Sequence, residues 1–411
     1  MKVTLIIVLI LLGTRTFSQE RGLAYFIEKA RINSPLLAGY NNQINSVTID
    51  SLLNRAAYMP QIAATLNAGY APVINGYGYD LAISNGQFAS GLLGYSQKIP
   101  GKKQVAGQSA SYGLIKQAVL LNKKIAVKDL TRLIIAQYIT AWGTLSQITY
   151  NRKITALLQE EDAILKKLTQ QSVYKQTDYL IFNVAVKQQE LTVLQLSQQY
   201  QNDVALLNYL AGETDTATVA LQEPDVYLKA LENKNDIFLK QFDTDSLTLK
   251  NNDRLIDNGY KPSLAVLGDV GYSSTFIYYG QKNVGFSFGL GLTVPIYDGH
   301  QRSLQHKKNE VALATVKAYK TNFTKHYAQQ LFMLDQKLKQ AAETAILLQS
   351  QLAVAEALIE ANKKLLLTGD AQITEYIIAL GNLLAIRGGI DQNNIGKLQI
   401  INQINYWKLN E

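Results

Sequence analysis

Residues 285–300, GFSFGLGLTVPIYDGH, set Phe286, Phe288, Leu290, Leu292 and Val294 in alternation with Ser287, Gly289, Gly291 and Thr293. A period of two held that long predicts a β-strand with one apolar face and one face of small or polar residues. The strand runs into Pro295 and Asp298-Gly299. About seventy residues of helical pattern follow with almost no punctuation. A strand that could face lipid, joined to a very long helix, leaves few architectures open, and the combination occurs twice in the chain.

In order, the pattern predicts helix over 21–58, broken at Ser34-Pro35, because proline disfavours helix at the residue before it. Tyr58-Met59-Pro60 stops that helix. Strands are expected at 61–75 and 87–99, with the Gly-, Asn- and Tyr-rich stretch 72–86 as the turn between them. A helix over 101–171 would be roughly 100 Å long at about 1.5 Å per residue. A break at 172–176 leads to a helix over 177–211, closed by Gly212. The mixed segment 213–235 divides the halves. The second half then repeats the order: helix 236–258, strands 263–278 and 284–297, long helix 300–367, a break at Thr368-Gly369-Asp370, and a last helix over 371–408. The long helix carries one heptad stripe: Leu331, Leu334, Leu338, Ala341, Ala345, Leu348, Leu352, Ala355 and Ile359.

The repeat is countable. Pro60 and Pro262 are each followed nine residues later by Gly-Tyr, at Gly69-Tyr70 and Gly271-Tyr272, an offset of 202. Gly94 with Gly291, and Thr177-Asp178-Tyr179 with Thr374-Glu375-Tyr376, keep an offset of 197. Three ordered matches in the same structural context point to an internal duplication. The chain therefore reads as a first repeat over 19–212, a linking segment over 213–235 and a second repeat over 236–411.

Composition narrows the classes. The 411 residues include 24 Tyr, only 7 Pro and no Cys. Few prolines suit long helices. The absence of Cys excludes disulfides, thiolate metal sites and a lipidated N-terminal Cys. Residues 1–18 have the form of a secretory signal: Lys2, the apolar run Val3–Leu12, and small residues at Thr16 and Ser18. No second uninterrupted run of about eighteen apolar residues occurs, so strands are expected to carry any membrane contact. The net charge of +8 sits in scattered lysine pairs on helix faces, with no nucleic-acid motif. Neither a catalytic nor a cofactor motif is present, and His300, His306 and His326 share no metal-ligand spacing. No catalytic, cofactor or metal role is expected.

Each half offers two strands and two long helices. Four strands cannot close a barrel, and membrane strands must close, so several chains must combine; two would give eight strands filled by side chains, and three would give twelve with room for a passage.

The entries Tyr58–Pro60 and Tyr260–Pro262, the strand end Leu292–Gly299, and the duplicated helix-break-helix units resemble the TolC family of outer-membrane efflux proteins. The resemblance covers essentially all of the mature chain. The stretch Gln97–Lys103 resembles the proline-glycine-basic variant of members paired with metal- and drug-exporting pumps. The resemblance implies an α+β homotrimer with four strands per chain in a twelve-stranded barrel in outer-membrane lipid. A long α-helical barrel would project into the periplasm, with a mixed belt formed by 213–235 and the C-terminal end. It further implies a passive exit duct of a tripartite efflux or type I secretion system. The partners would be a periplasmic adaptor (membrane fusion) protein and an inner-membrane transporter of RND or ABC type. The competing reading is a periplasmic coiled-coil adaptor with a soluble β-hairpin domain, which would need a polar face on every hairpin in place of lipid contact.

By the same resemblance the breaks form the periplasmic tips, with Tyr174, Thr177, Asp178, Gly369, Asp370 and Thr374 as adaptor-contact candidates. Family tips often carry two carboxylates one turn apart after the glycine. Aligned on Gly369, the first falls on Glu375 and the second on Ile378, so Glu375 alone is the pore-gate candidate, one acidic ring in a trimer. Asp370 is also placed as a helix N-cap. Phe286, Phe288, Leu290, Leu292 and Val294 are the expected lipid face. Tyr70, Tyr77, Tyr79, Tyr95, Tyr272, Tyr278 and Tyr279 are candidates for an aromatic girdle or a loop plug.

Overall fold

The computed structural model describes residues 21–80, 87–215, 219–229, 237–275, 280–368, 370 and 372–408. The signal segment, Tyr278, Tyr279 and Gly369 lie outside them.

The order of elements is α1 (Leu23–Asn33), α2 (Pro35–Ala56), β1 (Gln61–Tyr70), β2 (Gln87–Ile99), α3 (Lys102–Gln170), α4 (Gln176–Ala211), α5 (Ile237–Gly259), β3 (Ser263–Ser274), β4 (Val284–Thr293), α6 (Gln301–Thr368) and α7 (Ile373–Lys408). The helix limits expected from the sequence hold to within about two residues, the scatter normal for helix ends. Strands β1, β3 and β4 stop earlier than expected, at Tyr70, Ser274 and Thr293. Val294 therefore falls just past β4 and is a flank of the apolar face, not part of the strand. Pro295, which has no N–H for a ladder, follows at once.

The chain forms two compact units, residues 1–38, 124–236 and 323–411 in one, and 39–123 and 237–322 in the other. In the first, α1, α3 and α4 bury Phe26, Tyr138, Tyr200, Val204 and Leu207 in one cluster. The segment after α4 is laid over that cluster by side-chain hydroxyls. Tyr138 donates to the carbonyls of Arg21 and Gln222, at 3.2 and 2.8 Å. Tyr200 donates to Val219 O at 2.6 Å, and burial pushes its hydroxyl up to about 12. Asn405, near the end of α7, accepts from Lys229 N and donates to Tyr227 O. A second cluster joins α3, α4, α6 and α7 around Leu158, Leu165, Phe182, Leu366 and Tyr376. The C-terminal part of the α6 heptad stripe, Leu352, Ala355 and Ile359, belongs to this packing, and Leu334 and Ala341 earlier in the stripe are also buried.

Windows within α6 and α7 are apolar enough on average to cross a membrane, although no uninterrupted run exists. The excess is a second face. Leu347, Val354, Leu358 and Leu365 follow a spacing of seven, four and seven, and stay exposed in the single chain.

In the second unit the four strands form one antiparallel sheet in the order β1-β2-β3-β4. Helices α3 and α5 meet there through Asn251 and Asn258, whose amides donate to Gly107 O and Lys103 O at 3.0 and 3.1 Å. Helix α6 begins at a turn in which Gly299 and His300 both take positive φ, +61° and +68°. Asp298 accepts from the amides of His300 and Arg302 at 2.9 and 2.7 Å. This is the physical content of the Asp-Gly pair after the strand: Asp298 caps the helix and Gly299 supplies one of the left-handed residues.

Candidate functional site

Residues directly opposite each other in a sheet share a face, so the register sorts all four strands. Leu292, Leu290, Phe288 and Phe286 on β4 stand opposite Leu264, Val266, Gly268 and Val270 on β3. These meet Ile99, Gln97, Tyr95 and Leu93 on β2. Tyr95 and Leu93 in turn meet Ile62 and Ala64 on β1, and Leu66, Ala68 and Tyr70 continue that row. One surface of the whole sheet is therefore mainly apolar, with Gln97, Gln87 and Ser274 its polar members. It is also open in the single chain: Phe286 and Leu66 are each 85% exposed. The opposite surface carries Thr65, Asn67, Ser90, Ser96, Ser263, Ser273, Ser287 and Thr293 among glycines and alanines, with Lys98 and Asp269 as its charges and Phe88, Leu92 and Leu267 as its large apolar members. Asp269 accepts from Ser287 Oγ. Strands β1 and β4 have ten residues each, the length a tilted membrane strand needs.

Of the girdle candidates, Tyr70, Tyr95 and Tyr272 lie on the apolar surface. Tyr70 and Tyr272 sit toward the hairpin ends and Tyr95 toward the helix ends. Tyr77 and Tyr79 are exposed in the loop, where the Ile74–Tyr77 bridge folds Asn75-Gly76 into a tight turn.

The two helix breaks lie together in the other unit. Tyr174, in the first, is buried and donates to Leu366 O near the end of α6 at 3.0 Å. Burial raises its hydroxyl pKa, with Asp370 adding to the effect. Asp178 accepts from Lys175 N at 3.3 Å and so ties down the start of α4. Thr177 is exposed. In the second break α7 begins at Ile373, and the Gln372 carbonyl accepts from Glu375 N and Tyr376 N. Gln372 thus stands at the N-cap. Asp370 is two residues too early and exposed, which corrects the expectation that it caps α7. Thr374, Glu375 and Ile378 share the exposed side of the first turns of α7.

The sequence reading did not single out Glu161. Its side chain, 2% exposed, accepts from the Tyr376 hydroxyl at 2.5 Å, and Lys363 Nζ stands 4.0 Å from its other oxygen. Burial raises the Glu161 pKa, against the lowering effects of Tyr376 and Lys363. The signal was present in Tyr376, a large aromatic next to Glu375, but nothing in the sequence paired it with a carboxylate 215 positions away.

No protein-family model and no curated protein matches the sequence. Solved structures do match its fold. The outer membrane protein VceC of Vibrio cholerae has a TM-score of 0.73 at 11% identity, covering 94% of this chain and 95% of its own. CusC, solved in a description of transmembrane channel formation, scores 0.76 at 12% identity, with 97% and 94% covered. The outer membrane channel MtrE of Neisseria gonorrhoeae, in its open state, scores 0.72 at 12% identity, with 94% and 88% covered. Over nearly its whole length the chain has the fold of these outer-membrane channels, the TolC-type fold that its sequence resembles.

Proposed function

We propose that this protein is an outer-membrane exit duct: a homotrimer that passively conducts substrates handed to it by a periplasmic adaptor and an inner-membrane transporter. The observation that carries the reading is the sheet register. Four strands put an open apolar surface on one side and a mainly small or polar surface on the other, Phe88, Leu92 and Leu267 being its exceptions, as a barrel wall between lipid and water requires. Strands β1 and β4 each have one strand neighbour in the sheet and so one unpaired edge. In lipid such an edge costs several kcal/mol for each unsatisfied group, so β4 of one copy must pair with β1 of the next until the ring closes. Three copies give twelve strands.

The helices support the same assembly. The second apolar face of α6 and the exposed row Leu180, Val184, Leu191 and Leu194 on α4 need partners that another copy can supply. On this reading the repeats over 19–212 and 236–411 supply equivalent walls. The two breaks form the tip, with Glu375 facing the passage and Thr177, Asp178, Gly369, Asp370 and Thr374 near the adaptor. The soluble-adaptor alternative has no account of a sheet whose apolar surface runs across every hairpin.

Electron microscopy of the detergent-purified protein tests the proposal. A threefold particle with a barrel cap and a long hollow shaft is expected. A monomer or a twofold elongated particle would overturn it.

A further inference from the structure

A cavity of about 110 Å³ opens in the first unit between α1, α3, the segment at Lys229 and the end of α7. Four cations line it: Arg31, Lys128, Arg132 and Lys229. No carboxylate joins them among the described lining residues. Its volume is well above the roughly 10–15 Å³ that one water needs. Lys128 is only 9% exposed. The Nε of Arg132 is buried with no hydrogen-bond partner. Arg31, Arg132 and Lys229 make no ion pair among the described residues. The Tyr406 ring lies against both interior cations, 5.2 Å from the Arg132 guanidinium carbon and 5.5 Å from Lys128 Nζ, and so holds them in place.

Several of the remaining polar groups of the wall are already committed. Asn402 donates to Arg132 O at 3.0 Å. Asn405 uses both ends of its amide on Lys229 N and Tyr227 O. Thr131 donates to Val127 O at 2.8 Å. What the cavity offers a ligand is N–H donors and positive charge, and almost no acceptor. An acceptor-only group with more than one charge satisfies that set; a neutral or donor-bearing ligand does not.

We propose that this cavity binds a phosphate-type dianion, either the free ion or a phosphate group carried on a larger molecule. Arg132 would supply a planar fork and Lys229 a point charge. The site is separate from the sheet and from the helix breaks, and does not depend on the duct reading.

The test is calorimetric titration of the full-length, detergent-purified protein in phosphate-free buffer at fixed ionic strength. The probes are inorganic phosphate, phenyl phosphate and chloride. We expect saturable binding of inorganic phosphate, one per chain, and none of chloride. Arg132→Gln and Lys229→Gln should each weaken it about tenfold or more, whereas Lys166→Gln, an exposed position on α3, should not. Lys229→Gln keeps the test valid should Arg132→Gln disturb folding. Phenyl phosphate binding as tightly as the free ion identifies a carried phosphate, and its exclusion identifies the free ion. No saturable binding, or binding that Lys229→Gln and Arg132→Gln leave unchanged, would overturn the proposal. So would a wild type that ignores phosphate while these variants lose assembly, since the cations would then pair with a neighbouring copy.

Discussion

The hydroxyl of Tyr376, in the second turn of α7, donates to the carboxylate of Glu161 in α3, and both side chains lie inside the cluster that joins the two helix breaks. Tyr376→Phe would keep the ring and remove the donor, leaving Glu161 Oε2 buried and unsatisfied beside Oε1, which already has no hydrogen-bond partner. The expected cost is about 1–3 kcal/mol. The Glu161 pKa is raised, burial being the largest cause, so its neutral form is the one the fold favours. Its contribution is full below the unfolded carboxylate range and is lost as pH rises through the raised folded value. Melting of the purified protein between pH 4 and 8 should show this unit growing less stable over that window. Glu161→Gln should flatten the profile; an unchanged profile would refute the assignment.

In the second unit, α5 and α6 are clasped by His306. Its Nδ1 lies 2.8 Å from Asp253 and its Nε2 lies 3.1 Å from Asp257, which also binds Arg302 at 2.7 Å. Hydrogen bonding to Asp253 is the main cause of a raised His306 pKa. A raised histidine stabilises fully below its unfolded pKa of about 6.5 and loses that contribution as pH rises through the folded value. Asp253 and Asp257 are lowered and give theirs up only in acid. Hydrogen exchange in α5 should therefore accelerate, beyond its intrinsic pH dependence, as pH rises above the ordinary histidine range. In His306→Gln that extra acceleration should be missing.

Most of the fold was legible because it rests on local signals. Period-two alternation marked β4, and prolines and Asp-Gly marked where strands meet helices. The α6 stripe from Leu331 to Ile359 told which face would be covered. What stayed hidden depends on partners far along the chain. Glu161 sits in Glu160-Glu161-Asp162, a charge run that reads as solvated, and only the packing of α7 against α3 buries it. Asp370 looked like a cap because it sits just before the helix expected from 371, but the helix starts three residues after it, at Ile373. Val294 continued the alternation past the point where Pro295 ends the ladder.

Gly271 has a backbone reason to be glycine. Its φ is +156°, and a Cβ there would overlap the Gly91 carbonyl oxygen of the neighbouring strand. Gly271→Ala should strain the β2–β3 ladder by about 1–3 kcal/mol and lower the yield of folded, heat-modifiable protein on gels. Gly291→Ala, whose Cβ would find its nearest neighbour at 3.8 Å, should fold normally. Equal yields would remove the argument.

The two sheet surfaces can be told apart by charge. Leu290 lies on the apolar surface and Ser287 on the other, beside Asp269. Lysine at Leu290 should cost about 2–4 kcal/mol if that surface meets the middle of a bilayer. Ser287→Lys should be tolerated, since it faces water and a carboxylate. Outer-membrane fractionation after expression measures both, and a Leu290→Lys protein recovered at wild-type level would contradict lipid contact.

Glu375 stands on the exposed side of α7 with Ile378 one turn on, so a trimer would present one carboxylate per chain at this level and then an apolar step. A single acidic ring selects cations by its field, an effect that weakens with salt. Single-channel recording should find Glu375→Ala less cation-selective than the parent at low salt, with the difference shrinking near 1 M, where the Debye length is about 3 Å. Glu310→Ala, on α6 in the other unit, should leave selectivity unchanged. Should the two variants behave alike, Glu375 would be an ordinary solvated helix residue and the constriction would have to be sought at Ile378.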